Sequence, residues 1–73
     1  DKKERIEYVA QDLAVKLNDL KSINYYRKIA REHEERFLYE CLIITRDAER
    51  EGVIRETPAK YFVGVVKKKS GKR

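Results

Sequence analysis

The C-terminal end of the chain carries the residues with the clearest chemistry. Its last seven residues contain no acid and five cations, namely Lys67, Lys68, Lys69, Lys72 and Arg73. The chain as a whole has 18 Lys and Arg against 13 Asp and Glu, so the entire net charge of +5 lies in this segment. Clustered cations bind nucleic-acid phosphates by displacing their counterions, whatever the base sequence. Residues 67–73 therefore predict a flexible, phosphate-binding tail, with a solvated terminus or a truncation point inside a longer helix as the alternatives.

A second basic cluster contains aromatic residues. Tyr25 and Tyr26 precede Arg27, Lys28 and Arg31. Tyrosine rings stack on bases and arginines hold phosphates, although such a cluster is also typical of a helix that is half core and half solvent. Lys60 and Tyr61, on the helix before the C-terminal tail, would extend the surface of that tail. The candidate nucleic-acid-binding residues are therefore Lys67, Lys68, Lys69, Lys72, Arg73, Lys60, Tyr61, Arg27, Lys28 and Arg31.

The sequence offers no catalytic or metal-binding set. It has one histidine, His33, and one cysteine, Cys41, which alone cannot build a zinc site. Cys41 lies on an apolar stripe and is expected to be a buried, inert thiol. Because one cysteine cannot form an internal disulfide, a reducing compartment and a cytoplasmic location are expected. We predict no enzymatic activity, no cofactor and no metal.

The residues between these clusters predict one small all-α domain, residues 1–66. Hydrophobic residues make up 41% of the chain and recur at helical spacing, which favours a folded helical domain despite 42% charged residues. A chain of 73 residues is too short for a deep catalytic cleft. Because it begins with Asp1, it is expected to be a piece of a longer protein. No apolar run approaches the roughly 20 residues of a membrane span, so no membrane partner is expected.

Four helices are predicted, packed around a central one at about 35–51. The first runs from about 3 to 17 or 20, the second from 23 to 33, and the last begins at 58. Gly52 is expected to end the central helix in a left-handed conformation. Ser22 and Thr57 are expected to cap the second and last helices, with Pro58 in the first helical position. One continuous helix over 23–51 and a strand over 61–66 are the alternatives.

The order of these features resembles a known kind of domain. The residues that carry the likeness are Leu17-Asn18-Asp19, Lys21-Ser22, Tyr25-Tyr26, Lys28-Ile29-Ala30 and Pro58-Ala59-Lys60-Tyr61-Phe62. The chain is similar to the small C-terminal helical domain of bacterial and mobile-element replication or helix-turn-helix proteins. It also resembles the accessory domains of DnaD-like helicase loaders, which bind DNA and partner proteins. The resemblance implies a role alongside DNA and identifies no site residue.

A shorter likeness concerns Asp47 to Gly52. This segment is similar to the acidic motif of toprim-type topoisomerases and primases, in which acidic residues hold magnesium. Glu49 stands where that motif has a second Asp, and no βαβ pattern surrounds it. We interpret the segment as a charged helix end.

Two functions follow as hypotheses. The first is a non-enzymatic DNA-binding accessory module of a replication or transcription protein. The second is a protein-interaction or oligomerisation module of such a protein. The second would use apolar and aromatic residues expected to be exposed, namely Tyr8, Val15, Tyr39 and Ile43. The sequence leaves the oligomeric state open.

Overall fold

The computed structural model describes residues 1–71 and shows a helical domain without strands over that range. Its helices are α1 (Lys2–Lys16), α2 (Ile23–Glu32), α3 (Glu35–Glu51) and α4 (Pro58–Ser70), with a 3₁₀ turn at Leu20–Ser22. The predicted all-α class with four helices is confirmed. Residues 61–66 lie within α4, so the strand alternative is wrong. The cap explains this outcome, because the Thr57 hydroxyl accepts a hydrogen bond from the Lys60 amide at 3.2 Å and Pro58 sets the first helical φ.

The helices pair as two hairpins around one core. α1 packs along α2, and α3 packs along α4. All four helices supply a fully buried side chain to the centre, including Leu13, Tyr26, Leu38 and Phe62. Each helix therefore buries part of its apolar stripe only when both hairpins are present.

Helix α3 has contacts on two sides. One side packs on α4, while the other is joined to α1 by side-chain hydrogen bonds between three pairs of residues. Arg5 binds Glu35, and the Tyr39 hydroxyl donates to Asp12. Arg46 donates to the carbonyl oxygen of Lys16 at 2.9 Å, which satisfies one of the free carbonyls at the end of α1.

The α1–α2 connector is held by one carboxylate. Asn18 has a φ of +54°, and the Asp19 amide then donates back to the Ala14 carbonyl at 2.8 Å. The Asp19 side chain accepts from the hydroxyls of Tyr26 at 2.9 Å and Ser22 at 3.1 Å. Ser22 occupies the predicted N-cap position of α2, but its side chain does not cap the helix. Its hydroxyl donates to Asp19 and makes no cap bond to α2.

The chain breaks between α2 and α3 at His33, which has extended backbone angles (φ −129°, ψ 156°). The alternative of one continuous helix over 23–51 is therefore wrong. On the two sides of the break, Tyr26 of α2 and Leu38 and Cys41 of α3 belong to the same buried core. At the other end of α3, Gly52 adopts the predicted left-handed conformation with a φ of +72°.

Helix α4 continues past the boundary that the sequence suggested. Val66 is buried, the Ser70 hydroxyl donates to its carbonyl at 2.7 Å, and α4 ends at Ser70. The predicted flexible tail is therefore wrong for residues 67–70, which are helical. Cations in a last helical turn are also favoured by the helix dipole, which offsets their mutual repulsion. Lys72 and Arg73 lie outside the described residues.

Within residues 1–71, none of the helices combines the length and the apolar character needed to cross a bilayer.

Candidate nucleic-acid interface

An open groove of about 1000 Å³ lies between α4 and the connector from α1 to α2. Lys60, Val63 and Lys67 line it from α4, and Lys21 and Tyr25 line it from the connector and α2. We call this site the basic groove and define it by those five residues. Residues 16–19, Ser22, Glu49 and the segment 56–59 complete its walls.

The register of α4 places its two groove lysines on one side. Lys60 and Lys67 are seven residues apart, which is nearly two full turns, and Val63 lies between them. Their Cα atoms are thus separated by about 10 Å along the axis. Both lysines are exposed, whereas Val63 is only partly so. The groove therefore has charges outside and apolar surface further in.

The cations of the groove are largely free of protein partners. Lys16, at one end, pairs with Asp12 at 3.1 Å. Lys21, Lys60 and Lys67 form no ion pair with any part of the chain that the structure describes. Three ammonium groups from two walls therefore remain available to an anion.

The acids of the groove are fewer than its lysines once their partners are considered. Glu49 pairs with Arg46 at 3.2 Å. Asp19 is partly buried and accepts the Tyr26 hydroxyl, so its oxygens are engaged with the protein. Glu56 has no ion-pair partner among residues 1–71. The neutral hydroxyls leave the charge of Asp19 in place, so three lysines and two acids of the groove lack an ion-pair partner among residues 1–71, and their charges sum to +1.

Tyr25 differs from the other two partly or fully buried tyrosines on α2 and α3. The hydroxyls of Tyr26 and Tyr39 both donate to carboxylates, of Asp19 and Asp12. The Tyr25 side chain is partly buried, but its hydroxyl makes no hydrogen bond within residues 1–71 and reaches solvent, since no buried side-chain polar atom there lacks a partner. Its ring is held edge-on against Tyr26, with centroids 5.5 Å apart and planes at 76°. Burial raises the pKa of Tyr25, so its phenol stays a neutral donor at pH 7.

Arg27, a predicted phosphate ligand, is engaged with α1. Its Nε and Nη2 donate to the two carboxylate oxygens of Glu7 at 2.9 and 3.0 Å, and its Nη1 donates to Asn24 at 3.0 Å. The hydrogen bonds from Arg27 and Gln11 lower the pKa of Glu7 to about 2. A two-pronged pair of this kind fixes geometry, so Arg27 joins α2 to α1 and is less available to a ligand.

The other predicted cations of α2 lie away from the groove. Lys28 pairs with Glu32 at 3.6 Å. Arg31 is exposed and makes no ion pair within residues 1–71, but it follows Ala30, which lies with Lys2 at the opposite end of the α1–α2 hairpin. The structure therefore separates the predicted α2 cluster. Tyr25 lines the groove with the lysines of α4, whereas Arg27, Lys28 and Arg31 do not.

The lysines at the end of α4 point in different directions, because consecutive helical residues are rotated by about 100°. Lys67 lines the groove. Lys68 lies two turns from Tyr61 on the outer side of α4, and both are at least partly exposed. Lys69 lies on the α3 side, where its charge partly offsets the burial that raises the pKa of Cys41. The three lysines thus do not act as one patch.

Sequence reasoning missed Lys21 and Val63. Lys21 precedes α2 in a connector, and Val63 belongs to a run of valines that reads as core. Neither has a local signal that predicts a groove. Their roles depend on how the α1–α2 connector lies against α4.

Over residues 1–71, no group of three or more His, Cys, Asp and Glu side chains is arranged to hold a metal ion. Comparisons of the chain with protein-family models, curated proteins and solved structures found no match. The resemblance to replication and helix-turn-helix domains therefore stays a prediction.

Proposed function

We propose that this domain is a non-enzymatic DNA-binding accessory module of a replication or transcription protein. The observation that carries the proposal is the convergence of Lys21, Lys60 and Lys67 on one groove, without ion-pair partners among the described residues. Unpaired lysines from two separate elements are what a phosphate backbone requires, because they reach it from both sides. Lys68 and Tyr61 would extend the contact along the outer side of α4.

The proposal predicts a moderate dependence on salt. Each phosphate neutralised by a lysine adds about −0.9 to the slope of log affinity against log salt. Four contacts, from the three groove lysines and Lys68, would weaken binding by about a hundredfold between 50 and 200 mM salt. Specific recognition of bases in a duplex is not expected, because a lysine ammonium group acts as a point charge and lacks the paired, directed N–H donors of arginine.

The test is fluorescence anisotropy with labelled duplex and single-stranded oligonucleotides at 50 and 200 mM salt. The variant Lys60→Gln/Lys67→Gln removes two groove charges. The control Lys2→Gln/Lys3→Gln removes the same charge from the first turn of α1, at the other end of the molecule. We expect the groove variant to lose at least tenfold in affinity and the control to lose little. Equal losses would show that net charge, and not the groove, determines binding.

A second candidate function has its own observation. Tyr8, Val15 and Ile43 are 54%, 60% and 60% exposed. They flank the seam between α1 and α3, on either side of the Asp12–Tyr39 hydrogen bond. The expectation that Tyr39 is exposed is wrong, because it is partly buried and bonded to Asp12. An apolar surface there suits a protein partner, and self-association would appear in sedimentation equilibrium at micromolar concentration as a mass above 8.7 kDa.

A further inference from the structure

We infer that the basic groove binds single-stranded nucleic acid, with an unpaired base stacked on Tyr25 and the phosphates on Lys60 and Lys67. The inference rests on the proposed function and deepens it, since it assigns the form of nucleic acid and the residue that distinguishes it. Single-stranded DNA and RNA share the chemistry in question, namely exposed base faces on an anionic strand.

The first argument concerns the ring of Tyr25. It lines the groove but is packed from behind against Tyr26 and the core, so that it is fixed in place and partly covered. A fixed ring is a good stacking surface because little side-chain entropy is lost when a base lies on it. In a duplex, each base is already covered on both faces by its neighbours. Only a base that has left the stack can reach the ring.

The second argument concerns the arrangement of charge around that ring. Lys60 and Lys67 lie about 10 Å apart along α4, and Lys21 lies across the groove from them. Charges along one strand are 3.4 Å or more apart, so about three nucleotides at most span the two α4 lysines. A strand along α4 would therefore keep its phosphates on the lysines while one base turns inward.

The third argument concerns the inner surface of the groove. Val63 and Tyr25 are only partly exposed, whereas the three lysines are exposed, so the apolar groups lie deeper than the charges. A base is flat and apolar on its faces, and it would bury those faces there. The Tyr25 hydroxyl reaches solvent and makes no hydrogen bond within residues 1–71, so it would be free to donate to the polar edge of the base.

The test uses the intact chain and three strands with equal numbers of phosphates: a decathymidylate, its RNA counterpart, and an abasic deoxyribose-phosphate strand. Affinities are measured by anisotropy at 150 mM salt. We expect the wild type to bind a base-bearing strand at least about fivefold more tightly than the abasic strand, because stacking on an aromatic ring typically contributes at least that factor. Equal affinities for all three strands would overturn the inference.

Variants of Tyr25 test whether its ring is the surface that makes base-bearing strands bind more tightly than the abasic strand. Tyr25→Leu keeps apolar bulk but removes the ring, and it should reduce binding of the thymidylate at least fivefold while leaving the abasic strand unaffected. Tyr25→Phe keeps the ring and should retain most of the affinity. Tyr8→Leu, which changes an exposed tyrosine of α1 that does not line the groove, is the matched control and should keep the preference for the base-bearing strand. Circular dichroism checks that each variant is folded.

The outcomes separate the inference from the proposed function. Salt-sensitive binding of all strands and of duplex DNA alike, unaffected by Tyr25→Leu, would overturn base stacking and leave the phosphate-binding function intact. No binding of any oligonucleotide at 50 mM salt would overturn both. Binding of a polyglutamate peptide as tightly as the thymidylate would also overturn the inference, because such a peptide has the charge without the bases.

Discussion

At the scale of single residues, some cations of this domain bind its own carboxylates, whereas others remain available to a ligand. Arg27 would be a good phosphate ligand by its chemistry, yet both prongs of its guanidinium bind Glu7. Lys60 and Lys67 are less specific donors, yet they are unpaired within residues 1–71 and point into a groove. Availability, more than residue type, therefore decides which cations can bind a ligand.

The Glu7–Arg27 pair makes stability depend on pH. The pKa of Glu7 falls from its usual 4.5 to about 2, so its charged form is favoured in the folded protein. A lowered folded-state pKa stabilises the fold above pH 4.5, and this contribution is lost as the pH falls towards 2. We expect wild type to exceed Glu7→Gln in urea stability at pH 7, with the difference shrinking between pH 4.5 and 2.

The control for this prediction is Glu51→Gln, which removes an exposed carboxylate that has no ion-pair partner in the described chain. Its difference from wild type should change little over the same pH range. A Glu7→Gln difference that stays constant from pH 7 to 2 would show that the pair does not act through the charge of Glu7.

At the scale of helices, specific residues at the ends determine where α3 stops and where α4 begins. α4 begins at a Thr57–Pro58 cap and α3 ends at Gly52, and both ends were readable in the sequence. The Gly52 amide donates to the Glu49 carbonyl, and the next amide donates to Ala48. These bonds require the left-handed conformation, which costs glycine little and other residues more.

Two glycines give opposite predictions for the same substitution. An added Cβ would meet no atom within 4 Å at either Gly52 or Gly64, so only the backbone decides the effect. Gly52 has a φ of +72°, and Gly52→Ala should lower the free energy of unfolding by about 1 kcal/mol. Gly64 lies inside α4, and Gly64→Ala should raise it by about 0.8 kcal/mol.

Urea denaturation of the two alanine variants against wild type measures both effects, and each variant serves as the control for the other. Changes of the same sign would contradict this account of the α3 end and the α4 interior.

At the scale of the whole molecule, neither hairpin has a core of its own. Phe62 of α4 is fully buried and lies 6.2 Å from the ring of Tyr26 of α2, measured between centroids. The rings therefore connect the α3–α4 hairpin to the α1–α2 hairpin. The groove lies along this junction, since its walls come from both hairpins.

The variant Phe62→Ala tests whether each hairpin depends on the other for its core. Removing a buried phenylalanine costs about 3–5 kcal/mol, and a chain of 73 residues has roughly 4–11 kcal/mol in total. We expect a steep fall in the free energy of unfolding, with both hairpins unfolding together. Amide hydrogen exchange measured on α1 and α4 shows whether they do. Val63→Ala, at a partly exposed position of the same helix, is the milder control. Retained protection on α1 with loss on α4 would show that the hairpins are independent.

The sequence by itself determined the helices and most of their ends. Apolar spacing, the cap at Thr57, the proline that follows it and the glycine after α3 are local signals, and they act through the backbone of their own segment. The extent of α4 past Lys67 was missed because a run of lysines looks like a solvated tail. Only the burial of Val66 shows that the helix is supported there.

The candidate site depends on tertiary packing. Tyr25 and Arg27 are two residues apart, yet one lines the groove beside α4 and the other binds α1. The sequence gives the angle between two side chains on a helix, but packing of the hairpins determines which neighbour each side chain meets. For the same reason Lys21, Lys60 and Lys67, which are distant along the chain, become one set of charges only when α4 packs beside the connector.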